Sequence, residues 1–178
     1  KGVSQELYPF ESHFETIGGH RYHYVEEGNG EPVVMLHGNP SWSFYYRELI
    51  QKLSPHFHCL APDHIGCGYS DKPDDAAYRY TLEQRVNDLE AFLEKKGISQ
   101  NIHLIVHDWG GIIGMAYAHR HPASIKKIVL LNTAAFHLPQ GKNFPFALRL
   151  ARTWVGAFFI RAFNAFSGLA TIEGVKRV

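Results

Sequence analysis

The sequence predicts an α/β fold built on a mainly parallel sheet with helices on both faces. Three observations carry that expectation: runs that read as buried strands at residues 32–36, 102–106 and 125–131, segments of helical period alternating with them, and one strand-to-helix junction, Ile105-Val106-His107-Asp108-Trp109-Gly110-Gly111. Strands that are apolar on both faces need cover on both faces, which is how a parallel sheet between helical layers reads.

Residues 14–17 and 22–25, on either side of Gly18-Gly19, read as two strands around a glycine turn. Residues 32–36 are continuously apolar and belong at the centre of the sheet. The loop His37-Gly38-Asn39-Pro40 follows, then an expected helix over residues 42–53, a strand over 57–61 and a glycine-rich loop over 63–70. Thr81-Leu82-Glu83-Gln84 has the form of a capping box, and Leu82, Val86, Leu89 and Leu93 line one side of a helix ending near Gly97. The junction strand feeds a helix to about His121, and a further strand over 125–131 is expected to be buried.

From Leu138 the pattern changes. Leu148, Ala151, Trp154, Val155, Phe158, Phe159, Ala162, Phe163 and Phe166 recur at helical spacing, while Arg149, Arg152 and Arg161 face elsewhere. Residues 1–137 are therefore read as a partial core and 138–178 as the start of a helical cap over the strand ends. Trp154, Phe158, Phe163 and Phe166 are candidates for a substrate wall. Ordinary core packing accounts for the same aromatics equally well, and both readings hold if the inner face of a cap is also the wall.

With 178 residues, 45% of them hydrophobic, the chain can bury one sizeable core. It shows no long uncharged apolar run and no signal-peptide pattern, so a transmembrane segment is not expected. Its two cysteines, Cys59 and Cys67, have neither metal spacing nor scaffold density and suit a reducing cytoplasm. The net charge of +1 hides an asymmetry, because Glu173 is the sole carboxylate side chain after Asp108. A basic second half suits an anionic partner or a membrane surface. The balancing acids are expected to belong to sequence beyond this chain, and no nucleic-acid partner is expected.

Chemistry concentrates at the junction. A tight strand-to-helix turn lifts one side chain clear of the sheet, and Gly110 and Gly111 let the backbones approach. Asp108 then sits at the positive end of a helix dipole, which favours its ionised form. A carboxylate needs no base to become a nucleophile and forms an ester with the carbon it attacks, whereas serine must lose a proton as it reacts. The plainer alternative makes Asp108 an N-cap only.

In open parallel sheets ligands bind beyond the carboxyl ends of the strands, where the Asn39 loop, the 63–70 loop and the Asp108 elbow all fall. Asn39 offers a neutral donor for a leaving group or oxyanion, joined by the backbone and indole N–H groups of Trp109. A turn-forming role before Pro40 suits Asn39 too. His37, His64 and His107 read as structural hydrogen-bonders, and Asp63 as a loop anchor rather than a reactant. His119 and His121 lie at the far end of the elbow helix, about 15–20 Å from Asp108. The order nucleophile, acid, histidine cannot be completed here, since Glu173 is the only later acid and no histidine follows it. The expectation is an N-terminal part of a larger protein, with C-terminal strands, triad acid and histidine absent.

Together, His37-Gly38-Asn39-Pro40, Asp63-His64-Ile65-Gly66-Cys67-Gly68-Tyr69-Ser70 and His107-Asp108-Trp109-Gly110-Gly111 resemble the aspartate-nucleophile α/β-hydrolases, which include haloalkane dehalogenases and epoxide hydrolases. The resemblance spans nearly the whole chain. Epoxide hydrolases usually carry an aromatic or apolar residue at the Asn39 position and hold the epoxide oxygen with cap tyrosines, whereas no tyrosine follows Tyr117 here. Residues 36–43, 70–75, 131–136 and 159–167 look like the bacterial cis-3-alkyl-4-alkyloxetan-2-one (β-lactone) decarboxylases of olefin biosynthesis. That likeness implies Asp108 as nucleophile, Asn39 and Trp109 as oxyanion-holding donors, a hydrophobic small-molecule substrate and no metal or organic cofactor. It also implies association with other olefin-biosynthesis enzymes. The alternatives are a haloalkane dehalogenase, then an epoxide hydrolase or a non-catalytic fragment.

Overall fold

The structure, a computed structural model, describes residues 3–133, 146–151 and 153–163. Its contacts divide the chain into two compact units, Lys1–Phe136 and His137–Val178. The first holds a six-stranded mixed sheet formed by β1 (His13–Ile17), β2 (His20–Glu27), β3 (Pro32–Leu36), β4 (His58–Pro62), β5 (Ile102–His107) and β6 (Ile125–Leu131). In space their order is β1-β2-β4-β3-β5-β6. β1 and β2 form the expected hairpin and β2 meets β4 antiparallel, while β3, β4, β5 and β6 run parallel.

Alternation along the parallel strands divides the core into two layers. Val34, Leu36, Leu60, Leu104 and Val106 point into one layer, with Leu89, Phe92 and Leu93 of α2 (Leu82–Lys95) and Ile113 and Tyr117 of α3 (Trp109–Arg120). Val33, Met35, Cys59, Ala61 and Ile105 point into the other, against Tyr46, Ile50 of α1 (Arg47–Leu53), Tyr8 and Phe10. Val34, Met35, Leu36 and Leu60 are fully enclosed, each contributing about 1.5–3 kcal/mol of burial. This two-sided cover is what the apolar run 32–36 demanded.

Three expectations are corrected. The helix expected over residues 42–53 is a 3-10 turn, Ser43–Tyr46, followed by α1. Trp42 is extended, the Ser43 N–H donates to Asp63 Oδ1 at 2.7 Å, and the Tyr46 hydroxyl donates to the Leu36 carbonyl at 2.8 Å. Tertiary bonds thus outbid the regular helix there. The capping box is half formed: Thr81 accepts from the Gln84 N–H, but the Gln84 side chain donates forward to Asp88 at 2.9 Å. β6 is not buried. It pairs with β5 at the edge of the described sheet, leaving Val129 and Leu130 47% and 45% exposed, and Lys126 and Lys127 suit such an edge.

Because β3 lies between β4 and β5, the chain leaves β3 towards one side and returns on the other. The carboxyl ends of β3 and β5 meet at this switch point, with Leu36 opposite Val106. The next residues of the two strands are His37 and His107, so the Asn39 loop and the Asp108 turn are neighbours.

In the second unit α4 (Phe146–Ala151) and α5 (Trp154–Phe163) are helical. Thr153 caps α5, its hydroxyl accepting from the Gly156 N–H. Phe158 packs edge-on against Phe159 and Phe163. Among the described residues no helix is long and apolar enough to cross a membrane.

Candidate active site

Asp108 occupies a strained turn between β5 and α3, with φ 51° and ψ −121°. An L-residue held there costs on the order of 1–3 kcal/mol, and such strain persists only where surrounding bonds enforce it. The carboxylate makes no capping bond to α3, which removes the N-cap explanation of its position. Its Oδ1 instead accepts the backbone N–H of Asn39 at 2.9 Å. The loop after β3 therefore orients the carboxylate that β5 presents.

The glycines have separate reasons. A Cβ on Gly110 would strike the carbonyl oxygens of Leu36 and His37, so the elbow helix presses on the end of β3. A Cβ on Gly111 would strike the Thr133 side chain, and one on Gly38 the Asp108 side chain itself. The close approach expected from the sequence is real, but its partners are the neighbouring β3 and the segment after β6.

Asp108, Trp109, Ile112, Asn132 and Thr133 line an open concavity of about 400 Å³. Trp109 is 44% exposed and its N–H lies in the first turn of α3, where no intrahelical acceptor exists. Asn39 is exposed, and its Oδ1 accepts from the Cys67 thiol at 3.7 Å, while its NH₂ has no hydrogen-bond partner among the described residues. Burial raises the Cys67 thiol above its ordinary range, which keeps it in the donating form. Donor groups for an anion thus sit beside the Asp108 carboxylate at one set of strand ends.

His37, His64 and Asp63 tie together the loops that follow β3 and β4. His37 is fully buried; its Nε2 accepts the His64 backbone N–H at 3.0 Å, which leaves Nδ1 to donate to the Gly38 carbonyl at 2.9 Å. Desolvation lowers the basicity of His37, and of His64 more strongly. Asp63 accepts from His23 Nδ1 at 2.8 Å and from the N–H groups of Ser43 and Tyr69 at 2.7 and 2.9 Å. Burial alone would raise its carboxyl, but His23 and the Ser43 N–H outweigh burial and hold it below the usual range. His107 stacks on Tyr45 with ring centroids 4.4 Å apart, and His121 pairs with Glu90. No acid–histidine pair among the described residues joins Asp108.

The structure brings together Asp108, Asn39 and Trp109. Trp154, Phe158 and Phe163 lie on α5, 84%, 58% and 68% exposed, and Phe166 lies outside the described residues. Two participants escaped sequence reading: the Asn39 backbone N–H, which every residue but proline owns, and Thr133. The hydroxyl of Thr133 donates to the Asp108 carbonyl at 2.6 Å, and its position at the end of a parallel strand was the available signal.

The family model described as alpha/beta hydrolase fold matches residues 31–169. A cis-3-alkyl-4-alkyloxetan-2-one decarboxylase of Shewanella oneidensis is 57% identical over 172 residues, 96% of this chain and 54% of that protein. A haloalkane dehalogenase 2 of Mycobacterium tuberculosis H37Rv is 38% identical over 128 residues, 72% of this chain and 44% of that protein. Among solved structures, a haloalkane dehalogenase of Agrobacterium tumefaciens C58 superposes with a TM-score of 0.79 at 27% identity, over 92% of this chain and 57% of that one. The chain spans about half the length of the curated relatives it matches.

Proposed function

Because the chain belongs to the alpha/beta hydrolase fold family, we propose that it carries the nucleophile and oxyanion-binding part of an enzyme that converts long-chain cis-β-lactones to cis-alkenes and carbon dioxide. The observation that carries this reading is the Asp108 elbow in a chain 57% identical to a protein named for the decarboxylation of such a ring.

In the proposed reaction the Asp108 carboxylate opens the strained ring, and Asn39 and Trp109 hold the oxygen on which charge develops. The ring C–O bond to the alkyl-bearing carbon and the bond between the ring carbonyl and its neighbour both break. A C=C bond forms between the two alkyl-bearing carbons, the carbonyl carbon leaves as carbon dioxide, and Asp108 is released unchanged. The net reaction is redox-neutral and consumes no water. We assign Trp154, Phe158, Phe163 and Phe166 to the apolar surface for the two alkyl arms, each methylene buried there contributing about 0.8 kcal/mol. Cys59 and Cys67, both free, suit a reducing compartment, and we assign the protein to the cytoplasm.

A second reading, hydrolytic dehalogenation, is favoured by the Asn39 and Trp109 donors, whose neutral N–H groups suit a halide. The two differ in their use of water. Dehalogenation requires hydrolysis of the Asp108 ester, whereas lactone fragmentation does not. The test offers the protein that carries this chain a long-chain cis-β-lactone and, separately, a 1-bromoalkane in ¹⁸O-water. Alkene from the lactone without bromide release supports the decarboxylase. Bromide release with labelled alcohol, and no alkene from the lactone, overturns it.

A further inference from the structure

We infer that Thr133 is the positioning residue that locks the Asp108 elbow in its working geometry, an inference that rests on Asp108 being the nucleophile. The Asp108 carbonyl receives two hydrogen bonds, from the Gly111 N–H at 3.0 Å and from Thr133 Oγ1 at 2.6 Å. The first belongs to the turn and is closed by the elbow itself. The second comes from a different strand connection, twenty-five residues later, and is the tertiary restraint that holds the strained peptide after Asp108 in place.

The surrounding backbone is arranged to admit it. Asn132, at φ 39°, turns the chain in the left-handed region directly after β6, where asparagine is among the best tolerated non-glycine residues. That turn brings Thr133 against Gly111, whose absent Cβ would otherwise collide with the Thr133 hydroxyl and would approach its Cβ and methyl to 2.6 Å. The second glycine of the elbow is thus explained by the threonine that fills its place. Both Thr133 and Asp108 line the concavity, so a shift of the threonine changes the wall and the nucleophile together. Asn39 fixes the carboxylate end of Asp108 through its N–H, and Thr133 fixes the main-chain end.

A positioning role predicts loss of rate rather than loss of binding, because misplacing a nucleophile by a fraction of an ångström is felt in the transition state. The experiment compares Thr133→Val, which keeps the shape and deletes the donor, with Thr133→Ser, which keeps the donor, and with Asp108→Ala as the control. All three are assayed on the cis-β-lactone and the bromoalkane, with thermal melts alongside. The expected result is a fall of 10- to 100-fold in kcat for Thr133→Val at nearly unchanged KM, with Thr133→Ser within about threefold of the parent. Thr133→Val with parental kcat, in a background where Asp108→Ala is inactive, overturns the inference while leaving the nucleophile intact. A Thr133→Val loss that Thr133→Ser does not rescue likewise overturns it, since the hydroxyl would not be the cause. If Asp108→Ala keeps parental turnover of either substrate, the nucleophile reading itself fails and the inference with it.

Discussion

The backbone N–H of Asn39 donates to Asp108 Oδ1 at 2.9 Å, joining the loop after β3 to the turn after β5. These two residues are 69 positions apart in sequence and meet because β3 and β5 are parallel neighbours at the point where strand order reverses. The bond uses the main chain of Asn39 and leaves its side chain for another task. Replacing Asn39 by alanine therefore separates the two roles. The Asp108 anchor stays, and the amide donor disappears.

For Asn39→Ala the expected outcome is a fall in kcat of about 10²–10³, the usual effect of removing one oxyanion donor, with little change in melting temperature. Steady-state rates on the lactone and a thermal melt check it. A large loss of stability with unchanged kcat would mean that the side chain serves the turn before Pro40 instead.

Asp108→Ala removes the proposed attacking group, and turnover is expected to fall by at least about 10³ because no other carboxylate among the described residues lines the concavity. Quantifying alkene by gas chromatography under single-turnover conditions gives the answer. Persistence of the parental rate sinks the nucleophile assignment.

Cys67 sits at the other face of Asn39, its thiol donating to Oδ1. Cys67→Ser keeps a donor and Cys67→Val does not, so the valine variant frees the amide to rotate and present its oxygen to a developing anion. A five- to tenfold loss of kcat/KM for valine, and less than twofold for serine, is the expected pattern. Equal rates in the two variants would remove Cys67 from the site.

Much of this arrangement was legible in the chain. The residues 32–36 run gave β3 at both ends, because a strand enclosed on two faces leaves no polar alternation to mislead. The elbow was legible because Asp, Trp, Gly and Gly at a strand end have few other uses. The exposure of β6 departs from its apolar sequence, since exposure depends on which neighbours cover a strand and its own residues do not encode that. The 3-10 turn at Ser43–Tyr46 departs from the helical pattern because Asp63 and Leu36, on other elements, accept its donors. Thr133 carries one signal in the sequence, its position at the end of a parallel strand, because its partner is a backbone carbonyl.

Acid is expected to destabilise the fold in two stages. His37 and His64 are buried, and desolvation puts their folded pKa values below the unfolded value of about 6.5. The unfolded chain then binds more protons, so their contribution is complete above that pH and declines as pH falls below it. Asp63 is also held below its unfolded value, so its contribution is complete above about pH 4 and is lost as pH falls through the lower folded pKa. His64 Nε2 has no hydrogen-bond partner among the described residues, while the His64 backbone N–H is the group that serves His37. His64→Phe should therefore keep the loop and flatten the first stage. Melting temperatures from pH 7.5 to 5 for parent and variant test this, and an unchanged slope in the variant would remove His64 from the first stage and leave it to His37 or another group.

Gly110 and Gly97 separate steric space from backbone freedom. A Cβ on Gly110 meets the Leu36 and His37 carbonyl oxygens, which are backbone atoms at the end of β3 and cannot yield without disturbing its pairing with β5. Gly97 has open space around it but a φ of +68°, so alanine there meets only the left-handed backbone penalty. Gly110→Ala is expected to cost about 3 kcal/mol, the upper part of the overpacking range, and to abolish turnover because the elbow must move. Gly97→Ala is expected to cost about 1 kcal/mol with parental kcat, and Gly97→Asn less, since asparagine tolerates that conformation better. Urea unfolding midpoints and steady-state rates for the three variants check the contrast. If Gly110→Ala proves as mild as Gly97→Ala, the tight approach of α3 to β3 does not hold the elbow.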